Sequence, residues 1–205
     1  VKLKEIIIIL TGAYGGIGSE TARLLLDAGA RVVLVGRNNK KMNDLIEELP
    51  LTDNNIIAVV ADVSLESDRQ KIIDKALSAF GNIDVLINLA GSMSFNEFSQ
   101  EDTETTDRLF QVNVLAPMHL TKMVIPHMVE RGSGQIVNIG SIFGSISFAW
   151  FATYSSTKFA LRGFSEALRR ELDGTGVMVS YIAPRAVRTA FNSDSMTQMC
   201  DHSKT

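Results

Sequence analysis

An open parallel sheet wrapped by helices on both faces is the fold this sequence predicts, and three observations carry that expectation. Short runs rich in isoleucine and valine alternate with longer amphipathic stretches along the 205-residue chain. The runs lack the polar alternation of a strand with one wet face, so they read as strands buried on both sides. The first run leads straight into a glycine-rich turn and then a helical pattern. This alternation calls for a doubly wound α/β sheet with right-handed crossovers. Ligands in such a sheet sit outside the carboxyl ends of the strands, near the switch in strand order.

The elements follow in order. Residues 5–11 (EIIIILT) form the first strand, and residues 12–18 the glycine-rich turn. Residues 19–28 read as a helix with Ala22, Leu25 and Leu26 on its inner face, ended by Gly29. Residues 31–35 form a second buried strand. Residues 40–49 form an amphipathic helix with Met42, Leu45, Ile46 and Leu49 pointing inward, and 50–55 a loop. A third strand (56–61), a third helix (65–80) and a fourth strand (83–88) come next. Residues 92–102 are polar and turn-like, with Phe95 and Phe98 among them. Residues 104–130 read as one long, mostly helical stretch that Pro117 and Pro126 bend or break. A fifth strand (135–139), a helix (153–172) and a sixth strand (177–182) follow, and from residue 194 the chain is polar and weakly patterned. One domain spanning residues 1–205 is expected, with substrate-site elements at about 92–102, 141–153 and 184–205.

Composition narrows the function classes. Apolar residues make up 45% of the chain and charged residues 21%, which suits a domain with a substantial core. The net charge is −3 and no basic run interleaves with aromatics, so nucleic acid is not an expected partner. Cys200 is the single cysteine, which excludes an internal disulfide and a cysteine-based zinc site. His119, His127 and His202 have no metal-ligand spacing, and no metal is expected. The longest early apolar run, residues 6–10, is too short for a transmembrane span or a signal peptide, so the cytoplasm is the expected location.

Gly12, Tyr14, Gly15, Gly16, Ile17 and Gly18 lie in the turn TGAYGGIG, between a strand and a helix. Glycines let the backbone turn tightly and let a pyrophosphate approach it. The helix N-terminus offers free N–H groups and a positive dipole end to phosphates. A glycine turn without a ligand is the plain alternative; the strand–turn–helix context favours a dinucleotide. An acid at the end of the second strand would bind ribose hydroxyls and repel a 2′-phosphate. This chain instead has Gly36-Arg37-Asn38-Asn39-Lys40-Lys41. Arg37 can hold the phosphate through forked hydrogen bonds, so NADP(H) is expected over NAD(H). The alternative is a set of solvated cations at a helix start.

Tyr154 and Lys158 are four residues apart on a helix, so they share a face at a separation of ~6 Å along the axis. A phenol with a pKa of ~10 is a poor base at neutral pH, and a neighbouring ammonium lowers that value. The pair suits proton transfer; an ordinary aromatic beside a solvated cation is the alternative. Ser141 emerges from the carboxyl end of the fifth strand, where catalytic groups belong in this architecture, or else makes a local turn bond. Asn113 lies inside an apolar helical pattern, where asparagine is a poor helix former and, if buried, needs partners.

The spacing TGxxxGIG, followed in order by Asn113, Ser141, Tyr154 and Lys158, resembles the short-chain dehydrogenase/reductase family from the first strand to about Thr189. The resemblance implies a single-domain Rossmann fold, a nicotinamide cofactor, and hydride transfer between nicotinamide and a carbonyl or alcohol carbon. It implies Tyr154 as the acid/base and Ser141 as the hydrogen-bond partner of the substrate oxygen. Lys158 then lowers the tyrosine pKa and holds the nicotinamide ribose. Asn113 completes a tetrad, its backbone oxygen holding a water that links the lysine to solvent. Asp62-Val63 matches the family's adenine contact, the alternative being that Asp62 or Ser64 caps the next helix. Asn88-Leu89-Ala90-Gly91 resembles the family's NNAG, which places Asn88, Ala90 and Gly91 at the cofactor; Leu89 replaces the asparagine that steadies the sheet. Pro184, Val187 and Thr189 match the segment that holds the nicotinamide carboxamide. Arg185 replaces a glycine there, and any position needing φ > 0 would strain it.

Met93, Phe95, Phe143, Phe148, Trp150, Phe151, Met196 and Met199 follow the strands' carboxyl ends. They suit a lipophilic carbonyl or alcohol substrate, or else pack internally or against a partner. The resemblance implies a homodimer or homotetramer through helices 104–130 and 153–172. It also implies a lid and a seventh strand, which the sequence lacks before its end at Thr205, so a truncated or incompletely ordered chain is expected. A dinucleotide-binding sensor or scaffold without turnover is the alternative function; the intact tetrad favours an enzyme.

Overall fold

The structure, a computed structural model, describes residues 3–50, 55–185 and 187. Strands are β1 (Ile7–Thr11), β2 (Arg31–Gly36), β3 (Ile56–Val60), β4 (Val85–Asn88), β5 (Gly134–Ile139) and β6 (Val177–Ile182). Helices are α1 (Gly16–Asp27), α2 (Asn39–Glu48), α3 (Glu66–Phe80), α4 (Thr103–Phe110), α5 (Ala116–Arg131) and α6 (Ala152–Glu171). The strands form one parallel sheet in the order β3-β2-β1-β4-β5-β6, the doubly wound arrangement expected. The chain moves outward from β1 in one direction and then from β4 in the other, so the switch lies between them. Among the described residues no helix is long and apolar enough to cross a membrane.

The continuous apolar runs are explained by two cores, one on each face of the sheet. Ile8, Leu10, Val32 and Leu34 pack with Ala22 and Leu26 of α1 and Met42 and Leu45 of α2. Ile9, Val33, Val35 and Ile136 pack with Ile72 of α3, Leu120 and Val124 of α5, and Leu168 of α6. Alternate residues of each strand thus feed opposite cores, and neither face can be polar.

Two expectations change. The first helix begins at Gly16, so the last three residues of the glycine turn are already its first turn. Residues 104–130 are two helices, and neither proline breaks them: Pro126 lies inside α5, which continues to Arg131. The interruption is a π-helical turn at Gln111–Leu115, just before Pro117. A π turn inserts one extra residue into the helical path.

Candidate active site

One cavity of about 430 Å³ runs along the carboxyl ends of the strands. Gly12 of the first turn, Arg37 after β2, Asp62 and Val63 after β3, Ala90 and Gly91 after β4, Ser141 after β5, and Pro184 and Val187 after β6 all line it. Tyr14, Gly15, Gly16, Ile17, Gly18, Tyr154 and Lys158 line it too. Elements far apart in sequence therefore converge where the architecture places ligands.

The first end is built from backbone. Gly12 has φ +71°, and a Cβ there would meet the Ala90 backbone at 2.9 Å. At Gly18 a Cβ would lie 2.2 Å from the Gly12 carbonyl oxygen. Gly15 caps α1 without a side-chain hydrogen bond, so the first amides of that helix keep no side-chain partner. Thr11 Oγ1 accepts hydrogen bonds from the amides of Leu89 and Ala90, both at 3.0 Å, and fastens β4's end to β1. Among the described residues, Arg37, Lys41, Arg108, Lys158 and Arg185 line the cavity against one acid, Asp62.

Asp62 does not cap α3, whose cap is Leu65 with no side-chain bond. Its Oδ1 accepts instead from the Ser64 amide at 2.9 Å and the Ser64 hydroxyl at 2.7 Å, a local Asx turn. Buried Arg69 holds the same loop by donating to the Val63 and Ser64 carbonyls, each at 2.8 Å. Asn88 does not line the cavity. Its amide donates to Asn138 Oδ1 at 2.8 Å and to Thr121 Oγ1 at 3.3 Å, and Asn138 donates onward to Ser165 at 2.9 Å. Facing Asn138 in register, Asn88 steadies the sheet that Leu89 cannot.

The other end is built from side chains. Tyr154 and Lys158 are both buried on α6, and the ammonium lies 5.6 Å from the phenol ring centroid. Lys158 Nζ donates to the Ile139 carbonyl at 3.2 Å. Ser141 Oγ accepts from the Phe143 amide at 3.2 Å, so the local turn bond exists, and the same side chain hydrogen-bonds Tyr154. Burial pushes the Tyr154 phenol up, and the Ser141 bond opposes this only in part. That direction corrects the expectation of a tyrosine lowered by Lys158: the ammonium faces the ring and a carbonyl, and burial dominates. Burial also pushes Lys158 down to about 8.

Asn113 is 1% exposed and fully engaged. Its Nδ2 donates to the Ser92 carbonyl at 2.8 Å and Thr157 Oγ1 at 3.0 Å, and its Oδ1 accepts from the Ser92 amide at 2.8 Å. It therefore ties the β4 loop to the helix turn of Lys158. Its main chain lies in the π turn, where the Ala116 amide donates to Gln111. Pro117, just after the turn, has no amide hydrogen to offer its carbonyls.

Of the apolar candidates, Met93 and Phe143 line the cavity, while Phe95 and Phe151 pack behind it. Phe151 lies between Phe95 at 4.9 Å and Phe143 at 4.7 Å, and Phe143 meets Tyr154 edge-on at 5.9 Å. Phe148 and Trp150 are exposed at the rim. Trp150 has φ +65°, and its carbonyl accepts the Asn96 amide at 3.0 Å while its ring meets Phe95 at 5.7 Å. Arg185 shows no positive φ and so is unstrained there. Thr189, Met196, Met199 and the expected substrate segment beyond Val187 lie outside the described residues. Lys41, Arg108 and Val112 line the cavity without having been assigned to it from sequence; Lys41 was legible only as part of the basic run.

A family model described as short chain dehydrogenase matches residues 6–199. An uncharacterized oxidoreductase of Bacillus subtilis, YxnA, is 37% identical over 194 residues, covering 93% of this chain and 54% of that protein. The chain thus spans about half the length of that relative. A short-chain dehydrogenase from Streptomyces avermitilis superposes with a TM-score of 0.85 at 34% identity, covering 91% of this chain and 68% of that one. A 3-ketoacyl-(acyl-carrier-protein) reductase from Brucella melitensis, solved with NADH, gives 0.87 at 29% identity, covering 92% and 79%.

Proposed function

The chain belongs to the short-chain dehydrogenase family of oxidoreductases, and on that footing we propose that it is an NADP(H)-dependent enzyme interconverting a carbonyl and a secondary alcohol, with Tyr154 as general acid/base. The observation that carries the reading is the meeting of Ser141, Tyr154 and Lys158 in the same cavity as the glycine cradle, with Asn113 behind them.

The residues present fit a nicotinamide dinucleotide. Gly12 and Gly18 leave no room for a Cβ, and five cations face one acid across the cavity. The backbone of Gly12 and Gly15–Gly18 would hold the pyrophosphate, with Tyr14 beside it. Asp62, Val63, Ala90 and Gly91 would hold the adenosine side, Lys158 the nicotinamide ribose, and Pro184, Val187 and Thr189 the carboxamide. Arg37, backed by Lys41, favours a 2′-phosphate. The bound nicotinamide would supply or accept the hydride.

Tyr154, held up by burial, stays protonated at neutral pH and can give its proton to a carbonyl oxygen. The turn bond of Ser141 uses its oxygen as acceptor, so its O–H can be given to the Tyr154 oxygen or, in turn, to the substrate oxygen. Lys158, with a pKa of about 8, is charged at pH 7 and carries the ammonium that would hold the nicotinamide ribose. The carbonyls of the π turn offer acceptors for a water that returns the proton. Such positioned acid–base catalysis is worth ~10²–10⁴-fold. Met93 and Phe143 at the wall favour a lipophilic substrate. Exposed Phe110 of α4 and Phe159 of α6 favour a homodimer or homotetramer, and the cytoplasm is the proposed location. The test is nicotinamide turnover over a panel of apolar ketones and secondary alcohols, by wild type and Tyr154→Phe. Tight cofactor binding with no turnover on any of them would sink the proposal.

A further inference from the structure

We infer that Tyr181 of β6 is a positioning residue, seating the strand end of Ser141 against the Lys158 turn of α6 through a notch left by two glycines. This rests on the roles proposed for Ser141, Tyr154 and Lys158. A Cβ at Gly140 would lie 2.1 Å from both Cζ and Oη of Tyr181, and one at Gly144 would lie 2.3 Å from Oη. Neither glycine has positive φ, so backbone conformation does not require them. Space does: the phenol fills the volume a Gly140 side chain would take, and at Gly144 it shares that volume with the Lys158 carbonyl oxygen, 2.8 Å from the same Cβ.

The hydroxyl at the centre of this notch lies among three main-chain atoms. The Ser141 amide approaches it at 3.5 Å, the Ser141 carbonyl lies at 3.4 Å and the Lys158 carbonyl at 3.5 Å. Each contact is long, and the single proton serves one carbonyl at a time. Steric fit is therefore the main effect and the hydrogen bonds a smaller one. Register supplies the placement. Asn138 faces Tyr181 across the sheet, the Gly140 amide donates to the Ile182 carbonyl at 2.7 Å, and the Ile142 amide donates to Pro184 at 3.1 Å. The turn of α6 that Tyr181 touches is also the one from which Lys158 reaches back to Ile139. One ring tip thus spaces two of the three groups around the reacting oxygen. A misplacement of about 1 Å at such a site lowers turnover by roughly 10²-fold.

The test compares Gly140→Ala, Tyr181→Ala, their double variant and Tyr181→Phe. Gly140→Ala drives its methyl into the phenol, and kcat should fall about tenfold or more, with substrate KM and NADPH Kd within about twofold. Tyr181→Ala should lose a similar factor, and the double variant should recover most of it, because the added methyl and the removed ring compensate. Tyr181→Phe, which keeps the fit, should lose only about two- to fivefold. A second readout needs no substrate: ultraviolet titration of Tyr154, taken as the difference from Tyr154→Phe in each background. Displacing Ser141 removes the bond that favours the phenolate, so Gly140→Ala should raise the midpoint and the double variant should restore it. Purely additive losses, or a Gly140→Ala variant with full kcat and an unmoved midpoint, would overturn the inference. If Gly140→Ala does not fold, a folded double variant with near-normal midpoint supports it, and one as damaged as Tyr181→Ala overturns it. Failure of wild type to turn over any carbonyl defeats the functional proposal instead, and leaves the titration to judge Tyr181.

Discussion

The two ends of the cavity are made of different material. At the β1–β3 end the contacts on offer are mainly main-chain amides, exposed by glycines close together in sequence, with the side chains of Arg37, Lys41 and Asp62 beside them. At the β4–β6 end they are side chains from the β5 loop and α6, held by partners on the β4 loop, the π turn and β6. The first end depends on what is missing at a position, the second on what is pressed against it from elsewhere in the fold. Substitutions should therefore separate binding from chemistry.

The widest separation is expected at Tyr154→Phe. It should lower kcat by ~10²–10⁴-fold while NADPH affinity by calorimetry stays within about twofold; parallel loss of both would erase the division. Gly18→Ala works from the opposite end. Its methyl would meet the carbonyl oxygens of Gly12 at 2.2 Å and Ala13 at 2.7 Å. Overpacking of this kind destabilises by about 1–3 kcal/mol, and cofactor affinity should fall with it, seen as a lower melting temperature and a weaker calorimetric signal. Arg37→Asp is subtler, because both cofactors keep the glycine cradle. Loss of a charge-assisted bond worth about 1.5–3 kcal/mol should cut the NADPH-to-NADH affinity ratio by roughly 10–100-fold, and an unchanged ratio would remove Arg37 from cofactor choice.

Lys158→Met sharpens the contrast through pH. Burial lowers the folded pKa to about 8 from the ordinary 10.5. Between those values the unfolded chain binds more protons than the folded one, so wild-type stability should rise with pH across that window. Lys158→Met should flatten that rise and leave the protein more stable at pH 7, with turnover lost. Denaturant midpoints at pH 7 and pH 9.5 measure it, and identical slopes in both proteins would mean that Lys158 is not the group responsible.

The parallel sheet with helices on both faces was legible in the sequence because buried parallel strands cannot hide their continuous apolar runs. The glycine turn was legible for a related reason: its atoms are local, and only its last three residues, absorbed into α1, were misplaced. Ser141, Tyr154 and Lys158 stood out through their order and spacing. What escaped depended on partners distant in sequence. Asn88 looked like a cofactor contact until its register partner Asn138 was in place. Asn113 gave no hint of Thr157, 44 positions away. Pro117 suggested a bend or break, whereas the helix absorbs it through the π turn that ends two residues earlier. Gly140 carried no signal in the sequence, because the ring that requires it arrives from β6.

Trp150 has a use that its strain does not advertise. It is the only tryptophan in the chain, and it joins the 92–102 segment to the loop before α6 through Asn96 and Phe95. Selective excitation of indole in the natural sequence therefore reports on that joint, with no label attached. A protein with several tryptophans would blur the signal; here a shift in emission maximum as ligand is added reads the opening or tightening of one seam at the cavity rim.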